Sequence, residues 1–306
     1  MRRRSIVLLT AAVGLGGAGL AAALGLWLPL ASPVLASVPP LAAPLRTGAE
    51  HDALYGPPDD PSAYVIDVAA PNRTAERAGH ALVLGLRHTN AEAAPQIAEL
   101  RTRFAGFEPT LVLVEGRLGL HFGSSSGLLA RFGESGEAVA LAAAAGVPFQ
   151  SLEPDRASEV ADAVTAFSPA EVLAFYFLRV FTSERGNSWP ITELESEAAH
   201  LLGKRGSRTG LADALPDLAA MDAFWREHRP QAAPADWREL PAKALWRDPE
   251  GTWLARLAEH INGYRDRHFV AAIAAAVARG ERVLAVCGSS HAILFEPALR
   301  AAIAGG

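Results

Sequence analysis

The chain has 306 residues, half of them apolar and a fifth charged, with a formal net charge of −5. That composition supports a large buried core and excludes disorder as the bulk state. Positive charge is almost all arginine, Lys204 and Lys243 being the only lysines, and no basic stripe interleaves with aromatics, so no nucleic-acid partner is expected.

Arg2, Arg3 and Arg4 precede an uncharged run from Ser5 to Pro40. Residues 1–40 therefore read as a secretory signal or an N-terminal membrane anchor. The core from Ile6 to Leu30 is long enough to cross a bilayer. Against an anchor stand Pro29, Pro33 and the small residues at Val34 and Ala36, which offer cleavage before Ser37. Both readings keep the start of the chain cytoplasmic and send the body across the membrane, to be periplasmic, secreted or tethered to the inner membrane. Arg3-Arg4 before Ser-Ile-Val also fits a loose twin-arginine pattern. Residues 41–62, rich in Pro, Ala and Asp without periodicity, read as a linker. Residues 63–306 then form one domain.

Within that domain, Leu82 to Asn90 and Leu284 to His291 repeat one pattern: a short apolar run, a glycine, and a histidine three residues later. Such runs read as strands buried on both faces, with the glycine turning the backbone at the strand's end. In open α/β sheets ligands bind at the carboxyl edge, so His88 and His291 are expected in one crevice. After Gly85, residues 91–104 carry Ile97, Leu100 and Phe104 at helical spacing, and residues 110–114 read as a second strand. Strand, helix and strand in so short a space imply parallel pairing. The second strand ends at Glu115, which puts a carboxylate beside His88 if the two strands are neighbours.

Residues 119–136, rich in Gly and Ser and containing Glu134, read as a flexible loop over the site. Residues 147–152 read as a third strand, again ending in a carboxylate, Glu153. Ser168-Pro169-Ala170-Glu171 has the spacing of a capping box and opens an apolar helix. From about 183 to 249 short amphipathic pieces with Trp189, Trp225, Trp237 and Trp246 read as a helical insertion, the tryptophans packing it. Residues 252–278 are helical, with Arg265-Asp266-Arg267 interrupting the apolar stripe. The last strand, residues 282–287, holds the single cysteine, Cys287, read as a small buried hydrophobe rather than a nucleophile. The fold class expected is α/β: a mixed, largely parallel central sheet flanked by helices, with a helical insertion.

These pieces resemble the TraB, GumN and TIKI superfamily, which also takes in erythromycin-esterase-like and ChaN-like proteins. The match is carried by Gly85 to His88, Val114-Glu115-Gly116, Arg265-Asp266-Arg267 and Gly288 to His291. Phe132-Gly133-Glu134 and Ser151-Leu152-Glu153-Pro154 add to it. It covers Ala81 to Glu153 and Arg265 to Leu299, leaving the insertion outside. Some members are metal-dependent peptidases; others act as esterases without a clear metal or bind haem-type iron, so the resemblance implies the fold more firmly than the reaction.

Two histidines and a carboxylate suffice to hold a divalent cation with an open position. His88, Glu115 and His291 are the candidate ligands, with Mn, Co or Zn as the candidate metals. Glu134 or Glu153 is a candidate further ligand or general base, and Arg265 and Arg267 are candidates to stabilise an oxyanion or position Glu115. Read one at a time, each histidine is equally a strand-end cap held by hydrogen bonds. No Gly-x-Ser-x-Gly elbow supports a serine mechanism. The expected function is an exported metal-dependent hydrolase of peptide or protein substrates. The alternatives are a metal-independent histidine-based esterase and a module of the same fold that binds haem or a peptide without turnover.

Overall fold

The computed structural model describes residues 26–27, 30–33, 35, 38–57, 62–71, 79–119, 121–122, 126–188, 193–241 and 251–305. They fall into two compact units, Met1–Pro154 with Asp266–Gly306, and Asp155–Arg265.

The first unit is built on five strands: β1 Tyr64–Ala69, β2 His80–Leu86, β3 Leu111–Val114, β4 Phe149–Ser151 and β5 Arg282–Gly288. Their spatial order is β1-β2-β5-β3-β4. β1 pairs antiparallel with β2, and the other three pairings are parallel. The helices, in chain order, are α1 Gly48–Leu54, α2 Pro95–Phe107, α3 Ser126–Ala144, α4 Arg156–Ala163, α5 Pro169–Ser188, α6 Leu194–Thr209, α7 Leu218–His228, α8 Trp253–Ala278 and α9 Ser289–Gly305. The molecule is therefore α/β, with a mixed, mostly parallel sheet flanked by helices.

Why the strands read as unbroken apolar runs is visible in how their side chains divide. Successive residues of a strand point to opposite faces, and here both faces are covered. Ala81, Val83, Val283 and Ala285 pack with Phe269 and Ile273 of α8 and Phe295 of α9. Leu82, Leu84, Leu284 and Val286 pack with Leu100 of α2 and Val139 of α3. Each Val, Leu, Ile or Phe side chain among them contributes about 1.5–3 kcal/mol on burial, so a polar residue on either face of the central strands would be costly. Cys287 is fully buried, as a small hydrophobe in that layer.

The order of the strands decides where the site forms. β5 lies between β2 and β3, so the strands bearing the two Gly-x-x-His motifs are direct neighbours, with Gly85 opposite Cys287 and Leu86 opposite Gly288. The strands ending at His88 and Glu115 are separated by β5 instead of being adjacent.

Gly85 does not end its strand; β2 runs on to Leu86. Its glycine is needed for close approach. A Cβ at Gly85 would stand 2.6 Å from the Ala292 Cβ and 3.0 Å from the Ser289 Cα, where α9 crosses the strand. β5 passes directly into α9 without a connecting loop, so His291 occupies the first turn of a helix, while His88 sits in the loop after β2.

Residues 41–57 are bound to this unit, in contrast to the linker expected there. Thr47 and Glu50 form a reciprocal capping box that opens α1. Leu41 and Leu45 pack against the core under α9. Further upstream, Leu30 N donates to Arg117 O at 2.6 Å, and Ala31 O accepts from Ser151 N at 3.0 Å. The apolar run from Ile6 lies outside the described residues up to Gly25. Among the described residues no helix is long and apolar enough to cross a membrane.

The second unit is helical and starts at Asp155 rather than near residue 183. The reason is α5, opened by the capping box of Ser168 and Glu171 and apolar almost all round. Its Phe175, Phe177 and Phe181 form the centre of that unit's core. Trp237 sets its ring edge-on to Phe177 and Phe181, with centroids 5.1 and 4.9 Å away, and its Nε1 donates to Asp222 at 2.7 Å. Trp225 and Trp237 pack as expected; Trp189 and Trp246 lie outside the described residues.

Candidate functional site

Four segments of the α/β unit converge at the carboxyl edge of the sheet: the loop after β2, the turn after β3, the second half of α3 and the junction of β5 with α9. Gly288 is the point on which they close. Its backbone N–H donates to Glu115 Oε2 at 2.6 Å. A Cβ built on Gly288 would lie 3.3 Å from Glu115 Oε2 and 3.4 Å from His88 Nε2. A side chain at this position would press on Glu115 and come into contact with His88.

Glu115 is placed by the sheet, for its own N–H still donates to Val286 O at 2.8 Å. Its second oxygen, Oε1, stands 3.5 Å from His291 Nε2. The carboxylate lies at the start of α9, where the unsatisfied N–H groups of the first turn favour negative charge. The turn that follows depends on Gly116, at φ +83°, whose N–H donates to Glu153 Oε1 at 3.2 Å. Ser151 Oγ also donates to Gly116 O, and Arg117 reaches back to Pro154 O. Glu153 therefore shapes the turn that presents Glu115.

Each histidine is held from behind by a buried carboxylate. His88 Nδ1 meets Glu134 Oε1 at 2.6 Å, while Thr89 N donates to Glu134 Oε2 at 3.1 Å. His291 Nδ1 meets Asp266 Oδ1 at 2.6 Å, and its ring leans on Phe269, centroids 5.3 Å apart. An ionised carboxylate only accepts, so each Nδ1 carries a proton, and wherever the imidazole is neutral its lone pair is at Nε2. Exposure separates the two roles: the side chain of His88 is 73% exposed, that of Glu134 4% and that of Asp266 1%.

Glu134 reaches His88 because α3 is broken at Gly133, whose φ is 61° and ψ −148°. A Cβ on Gly133 would stand 2.8 Å from Thr89 O. Within the stretch expected to be a flexible loop, residues 126–136 belong to a kinked helix, and the kink aims Glu134 at the back of the histidine.

Asp266 is the site residue that the sequence reading passed over in favour of its flanking arginines. Its signal was present, since Asp266, Phe269 and Ile273 share one helical stripe, which put a carboxylate on the buried side of α8. Arg265 belongs to the helical unit, where its Nη1 donates to Asn262 Oδ1 at 3.3 Å. Arg267 is half-buried in the α/β unit. Of the Arg-Asp-Arg motif, the aspartate is bonded to His291.

His88, Glu115, His291, Glu134 and Glu153 are thus brought into one neighbourhood, joined by Asp266. Among the described residues no three His, Cys, Asp or Glu side chains already stand together as a metal-binding group. Glu134 and Asp266 lie behind the rings, while Glu115 and His88 face each other across Gly288 and Glu115 also faces His291 Nε2.

No family model matches the sequence, no curated protein matches it, and no solved structure matches its fold.

Proposed function

We propose that the chain is an exported hydrolase of peptide or protein substrates, similar to the metallopeptidases of the TraB, GumN and TIKI superfamily, with a divalent cation held by His88, Glu115 and His291. The observation that supports this reading is the pair of carboxylate-backed histidines, each joined through Nδ1 at 2.6 Å to a buried acid. Metal-ligating histidines carry such a partner on the other ring nitrogen, which fixes the tautomer and raises the basicity of the donor atom.

The donor set fits that use. Two imidazoles and one carboxylate suit Zn, Co or Mn. Ligands bound at about 2.0–2.1 Å around a tetrahedral centre stand about 3.3 Å apart, close to the 3.5 Å between His291 Nε2 and Glu115 Oε1. A cation there would polarise a carbonyl and acidify a water. The chain's own residues do the rest. Glu134 and Asp266 hold the two rings in one orientation. The Gly288 N–H holds Glu115. The exposed ring of His88 leaves the site open to substrate on that side.

A second reading is favoured by that same exposure. His88 with Glu134 on Nδ1 is a complete general-base pair, able to take a proton from water or a hydroxyl without a metal. Hydrolysis of unstructured peptides and of simple esters by the full chain separates the two. Activity abolished by a chelator and restored by Mn, Co or Zn supports the metallopeptidase. Chelator-resistant ester hydrolysis that is lost in His88→Ala supports the histidine base. Retention of haem or peptide without turnover supports neither and points to a binding module.

A further inference from the structure

Proline inside a helix removes one N–H and leaves the carbonyl four residues earlier without its helical donor. In α9 that proline is Pro297, and the carbonyl is that of Ile293, two residues after His291. Arg46 supplies the missing donor: its Nη1 donates to Ile293 O at 2.6 Å. Its backbone N–H donates to Leu294 O at 2.9 Å, and its Nη2 pairs with Glu296 at 2.8 Å. Tyr64 OH closes the knot on Glu296.

The same arm also takes hold of the residue before the other histidine. Arg87, the residue before His88, donates to Tyr55 O at 2.8 Å and to Pro57 O at 2.7 Å. Its guanidinium lies over the Tyr55 ring, 4.5 Å from the centroid. A cation stacked on an aromatic face and bonded to two carbonyls fixes the loop locally. Residues 46–57 thus touch the segment carrying His88 at one end and the helix carrying His291 at the other.

We infer that the arm of residues 46–57 is a strap that sets the distance between His88 and His291, and that Arg46 is a positioning residue acting through the Pro297 break in α9. This rests on the reading that the two histidines form one site. A linker would leave α9 free to relax about its broken turn, whereas Arg46 stands in for the bond that proline deletes. Since Ile293 lies within one turn of His291, slack there reaches the ring directly.

The mechanism predicts a specific rescue. Arg46→Ala leaves Ile293 O without a donor; adding Pro297→Ala returns a backbone N–H to that carbonyl. Both variants and the double variant are made in the full chain and compared by the imidazole NMR signals of His291, identified through His291→Gln, and by Co²⁺ affinity. Arg46→Ala should shift the His291 signals and weaken Co²⁺ binding, by less than the roughly 10–100-fold that follows loss of a group bonded to a ligand itself. The double variant should return both toward wild type. Unchanged His291 signals in Arg46→Ala, or a double variant no better than the single, would overturn the strap. Absence of Co²⁺ binding in the wild type would sink the metallohydrolase alone, because the His291 signals still decide the role of Arg46.

Discussion

Glu134 Oε1 and His88 Nδ1 stand 2.6 Å apart, joining a side chain 4% exposed to one 73% exposed. The buried acid is fixed by its kinked helix and by Thr89 N, so the orientation of an otherwise open ring is decided from inside the protein. Glu134→Gln reverses part of this. An amide that accepts from His88 must turn its NH₂ toward the Thr89 N–H, setting donor against donor. Metal affinity should fall about 10–100-fold with the fold retained, as read by cobalt titration beside a thermal melt.

Asp266 plays the matching part for His291, but deeper. Asp266→Ala would leave the Nδ1–H of a largely buried ring without its acceptor, at a cost of about 1–3 kcal/mol. Urea unfolding should show that loss, and Asp266→Asn, which keeps an acceptor, should recover most of the stability. An Asp266→Ala variant as stable as wild type would mean that the hydrogen bond has no structural weight.

Gly85 and Gly288 occupy equivalent places in the two motifs and should respond differently to alanine. At Gly85 the new methyl would stand 2.6 Å from the Ala292 Cβ, and overpacking of this kind costs about 1–3 kcal/mol. At Gly288 the nearest atoms are Glu115 Oε2 and His88 Nε2, at 3.3 and 3.4 Å. Gly288→Ala should therefore leave the unfolding midpoint close to wild type while weakening metal binding. Gly85→Ala should lower the midpoint.

The knot on α9 has a pH signature. Burial pushes the Glu296 carboxyl up, but hydrogen bonds from Tyr64, Arg46 and Arg300 outweigh it and hold it below the usual carboxylate range. A carboxyl lowered by folding stabilises the native state above its unfolded pKa, and that contribution fades as pH falls through the lowered value. Glu296→Gln should be less stable than wild type at neutral pH, the difference shrinking as pH falls below about 5 and through the lowered value. A difference that stays constant as the solution is acidified would assign the effect to packing.

The sheet was legible because its strands are buried on both faces and so appear as unbroken apolar runs at residues 81–84, 110–114 and 282–287. Their spatial order was not, since nothing local to 282–287 states that this strand enters between two others that come much earlier in the chain. The two Gly-x-x-His motifs marked the right edge, although Gly85 serves close approach rather than a turn. Glu134 was found, but its route to His88 was hidden in the single left-handed residue Gly133. Thr47 and Glu50 offered a capping signal inside a stretch read for its Pro, Ala and Asp content and its lack of periodicity. Asp266 was overlooked because two arginines drew attention to charge and away from the helical stripe it shares with Phe269.

Metal content of the full chain, measured by mass spectrometry after loading with manganese, cobalt and zinc in turn, tests the proposed centre most directly when wild type is set beside His88→Ala. His88 is exposed, so its loss should leave the domain folded. Near-stoichiometric metal in wild type that disappears in the variant is the expected result. No bound metal in either protein, or equal metal in both, would contradict a cation held by His88, Glu115 and His291.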